Sequence, residues 1–335
     1  MMEINLMWKK EYHDLYFHNT RDIESQAKAS ILKEDNFPKI LFKYLKAKHA
    51  IGSLKDDFIK VSDPFNVNDP FEGDILFDYK MISQQYKDDL FIRQLDVPVF
   101  NLSDEDKNMI VNSENPFDSF INIVYNNDSK WAERLTIDEF KLKFADIFDE
   151  FTQYNVKNYN QELKKQMLFV CLSESNNIIP MWAHYADNHA GVCIGYGLSD
   201  FELGSEETCH PVLYVQNSDF TEEINNIDND ERNKLKVLEE PFLKKSYDWS
   251  YEKEWRILIN KIQLKTLKSG FSQDFIDKRG NLCFIKFPKP SCVFLGLNIS
   301  DDDKQKVIKL CEERRITVYK MIKDSTRYNL SYVKI

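Results

Sequence analysis

The stretch Tyr251-Glu252-Lys253-Glu254-Trp255-Arg256-Ile257-Leu258-Ile259-Asn260 constrains the fold more than any other part of the chain. Side chains of a strand alternate between the two sides of a sheet. As a strand over 251–260, it puts Tyr251, Lys253, Trp255, Ile257 and Ile259 on one side and Glu252, Glu254, Arg256 and Leu258 on the other. Two carboxylates and a guanidinium then stand together on a rigid element. One reading is a solvent-facing strand with a surface ion pair, worth about 0–1 kcal/mol. The other is an acid pair at the wall of a cleft, with Arg256 keeping one acid ionised.

A strand with a charged face needs neighbours, and the sequence offers several. Short apolar runs at 40–45, 58–62, 167–172, 192–196, 212–215, 283–287, 292–297 and 316–321 read as strands. Helical patterns fall at 47–57, at 301–314, and after Pro180, which suits a first helical turn because its missing N–H is not needed there. That helix should end near 188–191, where Asn and Gly accept left-handed backbone. Strand, helix and strand across 292–321 predict a right-handed crossover within one sheet. Asp63-Pro64 and Asn68-Asp69-Pro70 are turn signals.

The expected fold class is α+β: a mixed, largely antiparallel sheet with flanking helices. Residues 1–36 read as a helical leader packed on a single domain over 37–335. A helical insertion at about 73–165 interrupts that domain, with Phe140, Phe144 and Phe148 at helical spacing and a break near 112–116. Residues 217–240 read as acidic loop and surface helix. With 24 Phe and 16 Tyr among 335 residues, much aromatic surface must be buried.

The chain has no apolar run of the roughly 18–20 residues a membrane span needs, and it opens without a secretory pattern. Its six cysteines are scattered, as expected for reduced core thiols, so a cytoplasmic, membrane-free protein is expected. A net charge of −10 opposes non-specific adhesion to nucleic acid. The cations Arg314, Arg315, Lys320, Lys323, Arg327 and Lys334 form a local exception that reads as solvated surface or as a polyanion site. His184 and His189 lie five apart and so do not share a helix face as a zinc pair would; no metal is expected.

Two further segments could carry chemistry. Ser173 and Ser175 close the 167–172 strand just ahead of the Pro180 helix, where two hydroxyls could cradle a pyrophosphate or simply form a capping turn. His184 and Tyr185 follow on that helix. Lys43, beside Tyr44 in an apolar strand, would either snorkel to the surface or reach an anion.

These segments resemble a bacterial family, domain of unknown function 2971. The resemblance is carried by 41–44, 68–72, 181–196 with Met181-Trp182-Ala183-His184-Tyr185-Ala186, 247–257 with Glu252-Lys253-Glu254-Trp255-Arg256, and 293–296. An extra residue precedes the Asn68-Asp69-Pro70 turn. The order Lys43, Ser173-Glu174-Ser175, Glu252-Lys253-Glu254 also resembles the Arg-Ser-Glu class of ADP-ribosyltransferases, with Lys43 in place of Arg and Glu174 in place of the central Thr.

That second resemblance implies an ADP-ribosyltransferase-like core and NAD as substrate, with an unknown protein or nucleic acid as acceptor. The bacterial setting adds a toxin or phage-defence role. Glu254 would stabilise the oxocarbenium ion formed as the nicotinamide–ribose bond breaks, with Ser173 orienting it, and Glu252 would position or deprotonate the acceptor. Lys43, Tyr44, Ser175, His184, Tyr185 and Arg256 would hold NAD. The competing readings are a NAD glycohydrolase, a nuclease gathering Asp69, Glu72 and Glu254 around a divalent ion, and a non-enzymatic binding module. In the module Trp182, Tyr185, Trp249 and Trp255 would be core and the glutamates mere surface.

Overall fold

The structure, a computed structural model, describes residues 2–18, 22–74, 91–92, 95–198, 208–216, 239–261, 276–279 and 282–335. The chain divides into two compact units, one of Met1–Asp74, Leu163–Asn217 and Asp230–Ile335, the other of Ile75–Glu162 and Ser218–Asn229. Most of the acidic stretch expected at 217–240 lies outside the described residues. No helix among the described residues is long and apolar enough to cross a membrane.

The first unit is α+β. Helices α1 (Met2–His13) and α2 (Ile23–Asn36) flank a π-helical turn at Asp14–His18. Asp22 starts α2 by accepting the main-chain N–H groups of Glu24 and Ser25. Then come β1 (Leu41–Leu45), α3 (Ala47–Asp56), β2 (Phe58–Lys60) and, beyond the second unit, β3 (Met167–Ser173).

In the second unit α4 (Asp104–Val111), α5 (Pro116–Asn127) and α6 (Ser129–Ala132) precede α7 (Ile137–Gln166), whose last turn belongs to the first unit. Its core is aromatic: Phe91, Phe120, Phe140 and Phe148 are buried, and Phe144 packs against them. The four-residue spacing of the three α7 phenylalanines puts them on one side of the helix.

The first unit resumes with α8 (Ile179–His184), β4 (Val192–Tyr196), β5 (Cys209–Pro211), β6 (Leu213–Val215), β7 (Lys244–Ser246), β8 (Glu254–Asn260), β9 (Ile276–Arg279), β10 (Leu282–Lys286) and β11 (Cys292–Leu295). α9 (Asp301–Glu313), β12 (Thr317–Lys323) and β13 (Leu330–Lys334) complete it. Ser300 caps α9 through the Asp303 N–H, and Asp301–Asp303 place negative charge at the positive end of its dipole.

Eight strands form one mixed, mostly antiparallel sheet in the order β13-β12-β11-β4-β1-β3-β8-β5, in which β11 and β12, joined through α9, run parallel. One side of the sheet packs on α3 and α9 through Leu54, Val307, Cys311, Ile194, Ile257 and Val293, all buried. The other side is covered in part by α8, whose Trp182 is fully buried beside Tyr44, Cys193 and Phe294. All six cysteines are free.

Two local expectations fail. β8 begins at Glu254, because Tyr247–Glu252 is a 3-10 helix and Lys253 is left-handed at φ 46°. The helix opened by Pro180 ends at His184; Asp187, Asn188 and His189 then take positive φ in succession. This loop drops onto the sheet at Gly191, where a Cβ would lie 2.2 Å from the Leu45 carbonyl oxygen. Strands β5, β7, β9 and β13 are not among those the sequence suggests.

Candidate functional site

Glu254, Glu252 and Arg256 do meet, in the interior. β8 is buried along its whole length, so neither face reaches solvent and the surface ion pair is not formed. Glu252, Glu254 and Arg256 are 3%, 3% and 1% exposed. Such groups must be paired, since desolvating an ion costs several kcal/mol.

Arg256 commits every N–H it has. Nε donates to Glu254 Oε1 at 2.8 Å and Nη2 to Glu254 Oε2 at 3.1 Å. Nη1 and Nη2 reach the two oxygens of Glu72, the latter at 2.7 Å, and Nη1 also donates to the Phe242 carbonyl. The guanidinium carbon lies 4.8 Å from the centre of the Phe169 ring. Two bidentate carboxylates use the planar fork fully. Arg256 therefore has no donor left for a pyrophosphate, contrary to its expected cofactor-binding role.

Lys245 extends the chain of charges. Its ammonium donates to Glu252 Oε2 at 2.6 Å and Glu254 Oε2 at 3.3 Å, and sits 4.6 Å from the centre of the Trp249 ring. Glu252 Oε1 accepts the Tyr185 hydroxyl at 2.6 Å, and that hydroxyl accepts the Asn68 amide at 2.9 Å. The sequence reading missed Lys245, which in Lys244-Lys245 looks like surface. Its only signal is β7's three-residue alternation, which buries the middle side chain.

Three carboxylates facing two cations carry one negative charge too many, and the burden is uneven. Burial works to raise Glu254, but Arg256 and Lys245 hold its carboxyl far below the usual range. Burial raises Glu252, and the neighbouring Glu254 raises it further against the pull of Lys245. Burial also raises Glu72 against Arg256, which Glu254 shares. Burial and then Glu252 push the Tyr185 phenol up, so it stays a donor. Glu254 is thus held as the anion, whereas Glu252 and Glu72 are both shifted toward the protonated form.

The remaining expected residues are mostly fasteners. Ser173 faces Glu254 across β3 and β8, yet its hydroxyl donates to the Glu252 main-chain carbonyl at 2.6 Å instead of orienting the Glu254 carboxylate. Ser175 Oγ donates to Asn177 Oδ1 at 2.6 Å, and Tyr44, buried, donates to the Ser175 carbonyl at 2.8 Å and accepts the Ile178 N–H. Lys43 donates to the Cys171 carbonyl at 2.8 Å and keeps two N–H groups. His184 is exposed. Trp182 and Trp255 are core, and Asp69 accepts the Phe71 N–H in a tight turn. Glu72 and Glu254 are joined by Arg256, so the open carboxylate trio of a nuclease is not formed. Among the described residues no group of three or more His, Cys, Asp or Glu is arranged to hold a metal ion.

The leader ties into the same site. Lys9 donates to Glu174 at 3.0 Å, Glu174 also accepts the Trp255 indole N–H at 2.9 Å, and the Trp8 ring lies 6.0 Å from Trp255. Tyr12 bonds His210 Nδ1 at 2.7 Å. Glu174, read as replacing a threonine, is thus the acceptor that fixes α1 to β8.

Residues 181–257 match the family model described as Protein of unknown function (DUF2971). That segment holds Tyr185, Lys245, Glu252, Glu254 and Arg256, so most of the ionic cluster lies within the part of the chain similar to this family. No curated protein and no solved structure matches the chain.

Proposed function

We propose that the chain cleaves the nicotinamide–ribose bond of NAD and transfers ADP-ribose to a protein or nucleic-acid acceptor, with Glu252 as the acid–base carboxyl. One observation carries the reading. The Lys43 strand, the Ser173-Glu174-Ser175 strand end and the Glu252–Glu254 segment, ordered along the chain as in Arg-Ser-Glu transferases, come together at the adjacent strands β1, β3 and β8 and the turn that leads into β8, with Ser173 in register with both Phe42 and Glu254 and Lys43 on the other side of the sheet.

The roles follow from the bonding. Glu254, saturated by Arg256 and Lys245, acts as the fixed charge that raises Glu252. Glu252, itself buried, exchanges a proton with the acceptor through the hydroxyl of the half-buried Tyr185 that it bonds. NAD supplies the scissile bond. Its phosphates fall to the exposed His184, because Arg256 and Tyr44 are committed elsewhere and Lys43 stands on the opposite side of the sheet. A toxin or phage-defence setting would suit this activity.

The test is nicotinamide release by the purified chain with cell lysate as acceptor source. Wild type should release it, and Glu252→Gln should be slower by about 10²–10⁴-fold. Equal rates in both would remove Glu252 from the reaction. Free ADP-ribose without labelled macromolecule would make the enzyme a glycohydrolase.

The committed Arg256 also favours a second reading, a binding module in which the ionic cluster only locks the fold. Release by neither protein, with both folded, decides for it.

A further inference from the structure

The side of the large sheet that carries Ser173 and Glu254 does not end at the ionic cluster. Pairing in register carries it from Phe42 on β1 to Gly195 on β4, Cys292 and Phe294 on β11, Tyr319 on β12, and Lys334 and Tyr332 on β13. Gly195 makes the surface level: a Cβ there would come 2.7 Å from Cys292 Sγ and 3.1 Å from the Phe42 ring. The rings form one connected row. Phe42 and Phe294 are 5.9 Å apart, Phe294 and Tyr319 stack at 4.9 Å and 14°, and Tyr332 stands against both at 5.0 and 5.2 Å. Phe294 is buried, Phe42 and Tyr319 are half-buried, and Tyr332 is 47% exposed. At the turn between β12 and β13, Tyr328 is fully exposed.

The charge around this row is opposite to that of the chain. Residues 314–335 contain six cations and one acid, Asp324, in a chain of net charge −10. Two of the cations are used internally: Arg314 pairs with Asp57, and Lys320 donates to the Gly296 and Leu297 carbonyls. Arg315, Lys323, Arg327 and Lys334 are exposed, and among the described residues none has an ion-pair partner. Lys323 and Lys334 share the side of the sheet that bears Tyr332 and Tyr319. At physiological salt, screening acts over about 8 Å, so these local cations outweigh the distant negative surface.

We propose that this open end of the sheet binds single-stranded nucleic acid, with bases stacking on Tyr332 and Tyr319 and phosphates meeting Lys323, Lys334 and Arg327. An acidic peptide would satisfy the cations but has no use for the ring platform. A duplex keeps its base faces stacked on one another, so only an unpaired strand uses both features. The proposal stands apart from the NAD reading, because no residue of the ionic cluster takes part.

The experiment is fluorescence anisotropy of the full chain with labelled oligothymidylate and oligouridylate of about 10 nucleotides, a typical span for one such surface. A duplex of equal length and heparin serve as competitors. Wild type should bind a single strand and release it more readily to unlabelled single strand than to duplex. Tyr332→Ala should weaken binding on the order of ten-fold and Tyr332→Phe should leave it intact. Lys323→Glu with Lys334→Glu should weaken binding and lower the salt slope by about 1.4, at about 0.7 per phosphate contact on a single strand. All three changes lie on exposed side chains, so circular dichroism should match wild type. No binding of either single strand at low salt, equal competition by duplex or heparin, or binding indifferent to Tyr332→Ala would each overturn the proposal.

Discussion

One side of one sheet ends in two opposite ways. At β3 and β8 it carries charges that are sealed in: Arg256 is 1% exposed and every donor it has is used. At β12 and β13, roughly 24–29 Å from β8 at about 4.8 Å per strand, it carries rings and cations that face outward. Buried charge must find partners to exist at all, so the first region is over-determined by its own bonds. The second needs no internal partner, because water solvates its cations and tolerates its rings. Stability should therefore concentrate at the sealed end and be nearly indifferent to the open end.

The hardest blow to that contrast is Arg256→Met. It strands Glu254 and Glu72 in the interior, and urea unfolding should show a loss of about 3–5 kcal/mol or no folded protein. A loss under about 1 kcal/mol would mean that the sealed end is not over-determined.

Next comes the pH dependence, where the two acids of the Glu-x-Glu segment should pull in opposite directions. Glu254 is held below its ordinary value of 4.5, so it contributes stability above that pH and loses it as pH falls. Glu252 is held above 4.5, so it favours the fold at low pH and costs stability as pH rises through its folded value. In urea titrations from pH 3 to 8, Glu254→Gln should flatten the acid limb. Glu252→Gln should lessen the decline toward neutral pH, leaving the part that Glu72 contributes. Parallel curves for the two variants would erase the distinction between locked anion and proton-bearing acid.

Tyr44→Phe should cost about 1–2 kcal/mol in the same assay, because it leaves the Ser175 carbonyl and the Ile178 N–H without their partner. The smallest effect belongs to the open end. Tyr332→Ala should move stability by no more than about 0.5 kcal/mol. A larger change would show Tyr332 to be a packing residue, and the contrast between the two ends would narrow.

Much of the fold was legible because periodicity reports burial directly. The runs that became β1, β3, β4 and β11, and the helical pattern that became α9, follow from apolar spacing. The site was legible in part. The Glu-x-Glu pair and Arg256 stood out by composition, and Tyr185 by its place after Trp182. Their arrangement was not, for two local reasons. Lys253 adopts left-handed backbone, so Glu252 reaches the cluster from a 3-10 turn rather than from strand alternation. Lys245 and Glu72 arrive from segments whose local sequence, Lys244-Lys245 and Asp69-Pro70-Phe71-Glu72, has the look of surface.

By itself the sequence determined the α+β class, most of the strands, the helical character of the described part of 73–165 and the presence of charge in a strand that also carries Trp255, Ile257 and Ile259. These depend on what each residue does within its own few neighbours. Only the tertiary structure decided that Arg256 faces two carboxylates instead of water, that Glu252 and Glu254 are shifted in opposite directions, and that Tyr319 and Tyr332 pack together beside exposed lysines. The reason is dielectric and geometric. Whether a charge is solvated, paired or raised in pKa depends on chain segments tens to hundreds of residues away, as with Glu72 and Arg256, and no local pattern carries that distance.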